Sequence, residues 1–434
     1  MELKLNKKRT FIIGLAFFTI LLMWQIYNSY CPLILKKLLL SKWGPSGNNG
    51  SGYDYIIGII MAMDNIFALF MLPLFGSLSD RTHSRLGKRM PYIIGGTLVT
   101  VVLFPFIPIL YMKNSIIGVG VMMGLVLVAM NVYRNPAVSL MPDMTPKPLR
   151  SRANAIINLV GYMGAITAGV IALFFKVDSN TIIVPFIITA VLMLLALIIL
   201  VVNINENKIA TEVASEMALG EQYSETNGEI AEDKPLCQKD RINLRLIITS
   251  VFLWYFAFNA IETFWTTYCE FYLGISSWSV ATIVMTICSL LTFIPSGKLT
   301  EKFGRKHVVL GGLVMMIVAL GVCAVLSKTM PKMADYIPWQ FYGMVVMFGV
   351  AGSGWALINV NSYPMVVEMA NSSNIGKYTG YYYVSSMLAQ SITPVIIGFV
   401  MSILTYKMFF LYAILFMTIA TFIFSFVQIR KTKA

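Results

Sequence analysis

Runs of about 20 apolar residues recur along almost the whole chain, separated by short polar turns. Each run is long enough to cross a hydrocarbon core of roughly 30 Å as a helix. Twelve spans are predicted. Six lie near residues 11–39, 53–78, 91–112, 115–141, 153–175 and 181–203, and six near 246–272, 278–299, 307–328, 338–366, 378–404 and 406–428. Residues 204–245, rich in Glu, Asn, Ser and Lys, break this rhythm. The expected fold is an all-α polytopic membrane protein with two pseudo-symmetric six-helix bundles, 1–203 and 246–434. Residues 204–245 are expected to be a linker, flexible or helical at the surface.

The polar turns carry a repeat. Gly76-Ser77-Leu78-Ser79-Asp80-Arg81, followed by Gly87-Lys88-Arg89, is echoed about 220 residues later by Gly297-Lys298-Leu299-Thr300-Glu301-Lys302 and Gly304-Arg305-Lys306. A second pair of turns matches as well. Asp143 and Arg152 are nine residues apart, as are Glu368 and Lys377, each acid following a helix that contains a proline, Pro136 or Pro364. Matching turns in two apolar halves imply a duplicated membrane transporter that rocks about a central site. Asp80, Arg81, Arg85, Asp143 and Arg152, with Glu301, Lys302, Glu368 and Lys377, are the expected conformational gates.

Composition supports the membrane assignment. Hydrophobic residues make up 57% of the 434, and charged residues only 12%, against roughly 25% in soluble domains. The net charge of +13 would elsewhere suggest nucleic acid. Here Lys and Arg collect in alternate loops: the N-terminus, 79–90, 147–152, 204–245, 298–307 and the tail after Gln428, although Lys36, Lys37 and Lys42 dilute the contrast. That pattern places both termini in the cytoplasm of a cell-membrane protein and leaves no role for nucleic acid. The first apolar run ends in Trp24-Gln25-Ile26-Tyr27-Asn28 without a small-x-small cleavage site, so it is expected to be a retained helix.

The chemistry of an enzyme is missing. Cys31, Cys237, Cys269, Cys288 and Cys323 have no metal or redox spacing and read as small core residues. The Gly-Lys pairs beginning at Gly87, Gly297 and Gly376 are followed by Arg, Leu and Tyr, whereas a nucleotide loop needs Ser or Thr. No cofactor and no metal are expected, so transport must be driven by an ion gradient or by the substrate's own.

Charged groups within the spans are the first candidates for function, because each costs roughly 2.5–3.5 kcal/mol at a helix centre. Three stand out, Asp64, Arg134 and Glu262; the competing role for each is a structural ion pair. Tyr255, Asn259, Glu262 or Thr263, and Thr266 form a polar stripe at helical spacing that must face the bundle interior. Trp24, Gln25 and Asn28 share one side of the first helix, and Asn154, Asn158 and Tyr162 recur in the fifth. Trp355 and Asn359 share a face of the tenth, with Asn361 and Tyr363 nearby. Tyr382, Ser386, Gln390 and Thr393 descend the eleventh. Amides, hydroxyls and flat rings suit a neutral polyhydroxylated substrate, which is hydrogen-bonded at its rim and stacked on its C–H face. The same groups also join helices to one another. The substrate-contacting set is therefore Trp24, Gln25, Asn28, Asp64, Asn65, Arg134, Asn158, Asn259, Glu262, Trp355, Asn359, Tyr382 and Gln390. Asp64 and Glu262 are the candidates for proton coupling.

The segment Gly76-x-Leu-x-Asp80-Arg81 resembles the loop signature of the major facilitator superfamily. Its expanded form, Asp80-Arg81-Thr82-His83-Ser84-Arg85-Leu86-Gly87-Lys88-Arg89-Met90-Pro91, is similar to the glycoside–pentoside–hexuronide:cation symporters and the sucrose–proton symporters. Tyr27-Asn28-x-Tyr-x-Pro32, Asp64-Asn65 ahead of Pro73, Pro142-Asp143 with Arg150-Ser-Arg-Ala-Asn154, and Gly376-x-Tyr-Thr-Gly380 extend the likeness. The resemblance implies symport of a sugar, a glucoside or a disaccharide such as sucrose or maltose, by a monomer. Two departures matter. The paired carboxylates of sodium-using melibiose-type members fall on Ala68 and Leu72, which favours protons over sodium. The arginine of plant sucrose carriers aligns near Val138, one turn from Arg134. A sodium-coupled glycoside symporter and an exporter of drugs or lipids are the alternatives.

Overall fold

The computed structural model describes residues 4–177, 181–227, 238–331, 337–367, 369 and 375–428. Twelve spans among them are long and apolar enough to cross a membrane. The chain is an all-α polytopic membrane protein. In order, the helices are α1 (Lys7–Trp43), α2 (Asp54–Arg81), α3 (Met90–Leu103) continued by α4 (Phe106–Met112), α5 (Ile116–Asp143), α6 (Arg150–Phe174) and α7 (Ile183–Asn203). Then come α8 (Glu206–Asn227), α9 (Gln238–Thr267), α10 (Ser279–Phe303), α11 (Arg305–Thr329), α12 (Trp339–Val367), α13 (Ile375–Leu404) and α14 (Met408–Ser425). A π-helical turn, Tyr268–Leu273, prolongs α9. Large apolar side chains such as Ile117, Phe174 and Ile294 are left exposed. On a soluble protein such surface would be a liability, whereas here the acyl chains cover it.

Contacts divide the chain into two units: residues 1–42 with 66–229, and residues 43–65 with 230–434. In the first unit α3 packs on α5 and α7. The Phe186 ring sits 5.7 Å from Tyr30 and 4.8 Å from Phe104, and the Tyr30 hydroxyl donates to the Phe175 carbonyl at 2.6 Å. Ser115 starts α5 by accepting from the Gly118 amide at 3.2 Å. The linker contains a helix, α8, beginning directly after α7.

In the second unit α12 lies against α10 and α11, and α9 lies against α13 and α14. An aromatic cluster closes the π-helical end, with Tyr268 stacked on Phe409 at 4.5 Å and edge-on to Phe410 at 5.3 Å. The periodicity of the sequence assigned all of α2 to the first bundle, but residues 54–65 fall in the second unit, with Asp54, Gly58 and Asn65 against α13 or the turn after it. Glycine explains this. A Cβ at Gly58 would lie 2.0 Å from the Pro394 carbonyl oxygen, and one at Gly398 would lie 2.4 Å from that of Asp54. Asn65 donates to the Gln390 carbonyl at 3.3 Å, and Tyr406 to Asp54 Oδ1 at 3.4 Å.

Candidate transport site

Along α9, Arg245, Thr249, Phe252, Tyr255, Phe258 and Glu262 form an accessible stripe spaced by three or four residues, while most of their neighbours are buried. Glu262 ends this stripe and is exposed, although it sits deep within the apolar span Gln238–Leu273. One turn earlier, Phe258 stacks face to face on Trp355 of α12, with centroids 3.8 Å apart and planes within 7°. Tyr255 meets the same indole edge-on at 5.1 Å, and its hydroxyl donates to Asn359 Oδ1 at 2.8 Å. The Asn359 amide in turn donates to the Trp355 carbonyl at 2.9 Å, which fixes its orientation. Trp355, Tyr255 and Asn359 remain half-buried, so this face presents rings, an amide oxygen and a carboxylate together.

Asn259 is buried beside Glu262, and Asp64 lies within electrostatic reach of that carboxylate. Asp64 and Asn65 thus belong with the second unit's polar face. Tyr382 is buried, sharing a 2.9 Å hydrogen bond with Ser362, and Gln390 turns its amide to the Ser386 carbonyl at 3.2 Å. Asn361 is a joint between helices. It accepts from the Thr300 hydroxyl and donates to Ser296 Oγ at 3.2 Å and to the Leu357 carbonyl at 2.8 Å.

In the first unit the Arg134 guanidinium lies 4.1 Å above the Trp24 ring, a cation–π contact between two half-buried groups. Its neighbour Asn135 donates to the Leu72 carbonyl and holds α5 against α2. Gln25 reaches Ser29 at 3.4 Å, Asn28 is half-buried, and Asn158 bonds the Asn154 carbonyl of its own helix at 2.8 Å.

The first copy of the repeated turn is organised around Arg89. Its guanidinium is buried and bonds four groups: Asp143 Oδ2 at 2.9 Å, the Gly76 carbonyl at 3.3 Å, the Asp80 carboxylate and the Ser79 hydroxyl. Lys88 adds an ion pair to Asp143 at 3.0 Å. The charge-assisted fork therefore ties the ends of α2 and α5 to the start of α3. Behind it, Glu206 of α8 is buried and accepts from the backbone amides of Arg89 at 2.9 Å and Met90 at 3.1 Å. These are orphan donors of the α3 N-terminus, so a residue 117 positions away serves as the cap. Gly87 permits the approach: its φ is +110°, and a Cβ there would meet Glu206 at 2.2 Å. Asn207 adds bonds to the Ser84 and Arg85 carbonyls at 3.0 and 3.1 Å.

The Major Facilitator Superfamily model matches residues 13–363 and, a second time, 279–434. The chain belongs to the Major Facilitator Superfamily. It is a membrane transporter, not an enzyme. Solved superfamily structures share the fold along nearly its full length. The inward-open xylose transporter XylE from E. coli superposes with a TM-score of 0.67 at 13% identity, covering 98% of this chain and 97% of that one. A D-xylose–proton symporter gives 0.68 at 14%, covering 98% of both chains. The peptide transporter PepTSo gives 0.69 at 11%, also covering 98% of both. No curated protein matches the chain.

Within this superfamily member the two copies of the loop differ in what they bond. Glu301 and Lys302 are exposed, Lys302 leaning 5.2 Å from the neighbouring Phe303 ring, and Lys306 donates to the Ser425 carbonyl at 2.7 Å. Arg81, Arg85 and Arg152 are exposed in the first unit, and the Asp143 ion pairs run to Lys88 and Arg89. Glu368 lies outside the described residues. Arg89 and Glu206 are the residues that sequence reasoning passed over. Pro91, in the first turn of α3, marks the helix start and was the one available signal that an acceptor was required there. Replacing Glu206 with Ala should speed hydrogen exchange across residues 84–92 by about tenfold, since two buried amides lose their acceptor. Glu212→Ala, further along the same helix in an exposed pair with Lys208, should leave that segment unchanged. Equal protection in both variants would remove the capping role.

Proposed function

We propose that this transporter carries a neutral sugar together with a proton by alternating access. The observation that carries the proposal is the accessible face on which the Trp355–Phe258 stack, the Tyr255–Asn359 pair and Glu262 converge. Sugars bind through C–H faces laid on aromatic rings and hydroxyls bonded to amides and carboxylates, and this face offers each of those groups. The further cargo-contacting candidates are Trp24, Gln25, Asn28, Arg134 and Asn158 in the first unit and Asp64, Asn65, Asn259, Tyr382 and Gln390 in the second. Glu262 or Asp64 would carry the proton. The Arg89-centred cluster with Asp80 and Asp143, and the exposed Glu301 and Lys302, would act as gates, with both termini in the cytoplasm. A glucoside or disaccharide is the favoured cargo, and the solved xylose–proton symporter has the same fold.

The test is uptake into proteoliposomes across a panel of labelled sugars. Accumulation should follow an imposed pH gradient, collapse with a protonophore and ignore sodium. Trp355→Ala should raise the half-saturation concentration by roughly tenfold, since an aromatic platform is lost. A strict sodium requirement at fixed pH would overturn proton coupling. Transport of apolar cations in place of every sugar would overturn the cargo class.

A further inference from the structure

At its N-terminal end the accessible stripe of α9, through Arg245, Thr249 and Phe252, opens into a cleft of about 750 Å³ between the first turns of α9 and α13. Its rim is cationic. Arg241 and Arg245 come from successive turns of α9, and Lys377 comes from the first turns of α13; all three are exposed. No carboxylate lines the cleft among the described residues, and none of the described ion pairs involves these three cations. Lys377 instead leans 6.0 Å from the ring of Tyr381. Both helix N-termini point the same way at this rim, which adds to its positive potential.

The floor has the opposite character. Ile248, Phe252, Val384 and Leu388 line it, seven to eleven residues along their helices from Arg241 and Lys377. Eleven residues separate Arg241 from Phe252, a drop of about 16 Å along the helix. Ser385 donates to the Ile248 carbonyl at 2.9 Å, so the two walls are joined at that depth. A cationic rim above a fixed apolar floor, at the end of two membrane-spanning helices, has the polarity profile of a phospholipid.

We propose that this cleft holds an anionic phospholipid, its phosphate between Arg241, Arg245 and Lys377 and an acyl chain against Phe252, Val384 and Leu388. Guanidinium groups bind a phosphodiester through paired hydrogen bonds, and each surface cation adds to the attraction of an anionic headgroup. A neutral sugar brings no charge for the rim, and a free anion would leave the apolar floor unused. The orientation of the chain needs only cations flanking the spans, not their convergence on one cleft.

Native mass spectrometry of the whole transporter in neutral detergent tests this with phosphatidylglycerol and phosphatidylcholine as probes. One phosphatidylglycerol should be retained with a preference of at least about tenfold over phosphatidylcholine. The triple variant Arg241→Gln, Arg245→Gln, Lys377→Gln should lose that preference while melting at the same temperature in phosphatidylcholine. A phosphatidylglycerol with a photoreactive acyl chain should label the peptides bearing Phe252 and Leu388 in the unaltered protein, which decides the matter even if the triple variant does not fold. Equal retention of the two lipids, preference surviving in a folded triple variant, or labelling confined to other helices would each overturn the proposal. Complete displacement by millimolar inorganic phosphate would show a free-anion site instead.

Discussion

Glu262→Gln should abolish accumulation of sugar against a gradient and leave exchange of internal for external sugar intact. The substitution keeps the shape of the side chain and its hydrogen-bonding oxygen but removes the ionisable group. If the proton bound there links the two flows, the link disappears, because coupling exists only as an interaction between two bound ligands. Sugar affinity should change by less than about tenfold, equivalent to 1.4 kcal/mol, since the Trp355–Phe258 platform and Asn359 stay in place. Asp64→Asn is the necessary companion, because Asp64 lies close enough to influence Glu262. Proton-driven accumulation by the Glu262 variant at the rate of the parent would remove the residue from the coupling mechanism. Failure of the Asp64 variant alone would transfer the role to that acid.

Arg89→Met should be the most destabilising single change in the first unit. The guanidinium is buried and bonds Asp80, Asp143, Ser79 and the Gly76 carbonyl. Fully buried pairs cost about 3–5 kcal/mol when one partner is removed. The side chains of Asp80 and Asp143 retain 59% and 25% exposure, so water recovers part of that, and roughly 2–3 kcal/mol is expected. For a unit of this size the melting temperature should fall by roughly 5–10 °C. Arg89→Lys should not rescue it, because one ammonium cannot span four acceptors in a planar fork. A melting temperature within a degree of the parent would mean that these bonds contribute little.

The twelve spans could be read in the sequence because lipid imposes a strict demand: about 20 apolar residues per crossing, with every backbone group bonded inside a helix. Spacing alone puts Tyr255, Asn259, Glu262 or Thr263, and Thr266 on one polar stripe of α9, whereas the structure leaves Tyr255 and Glu262 accessible and buries Asn259, Thr263 and Thr266. Trp355 and Asn359 share a face of α12 by their spacing, and both meet Tyr255. Other parts were not legible. Asn361 carries the same functional group as a sugar site, yet it joins α12 to α10. Composition cannot separate a group that binds cargo from one that binds a neighbouring helix. The Glu206 cap was hidden because the need for an acceptor is local to α3, whereas the residue that meets it lies beyond three further spans, α5, α6 and α7. The placement of residues 43–65 in the second unit was likewise hidden, because it depends on Gly58 lying against the Pro394 backbone and Gly398 against that of Asp54.

Gly58 and Gly398 specify their contact by what they lack. Neither contributes a bond, and the hydrogen bonds flanking the seam are long, at 3.3 and 3.4 Å. Adhesion there comes from two bare backbones lying flush, so it depends on fit, and fit is lost steeply with small displacements. A joint of this kind holds firmly when closed and weakens as soon as the two backbones part by a fraction of an ångström. It is closer to a latch made of matched surfaces than to a lock made of pins.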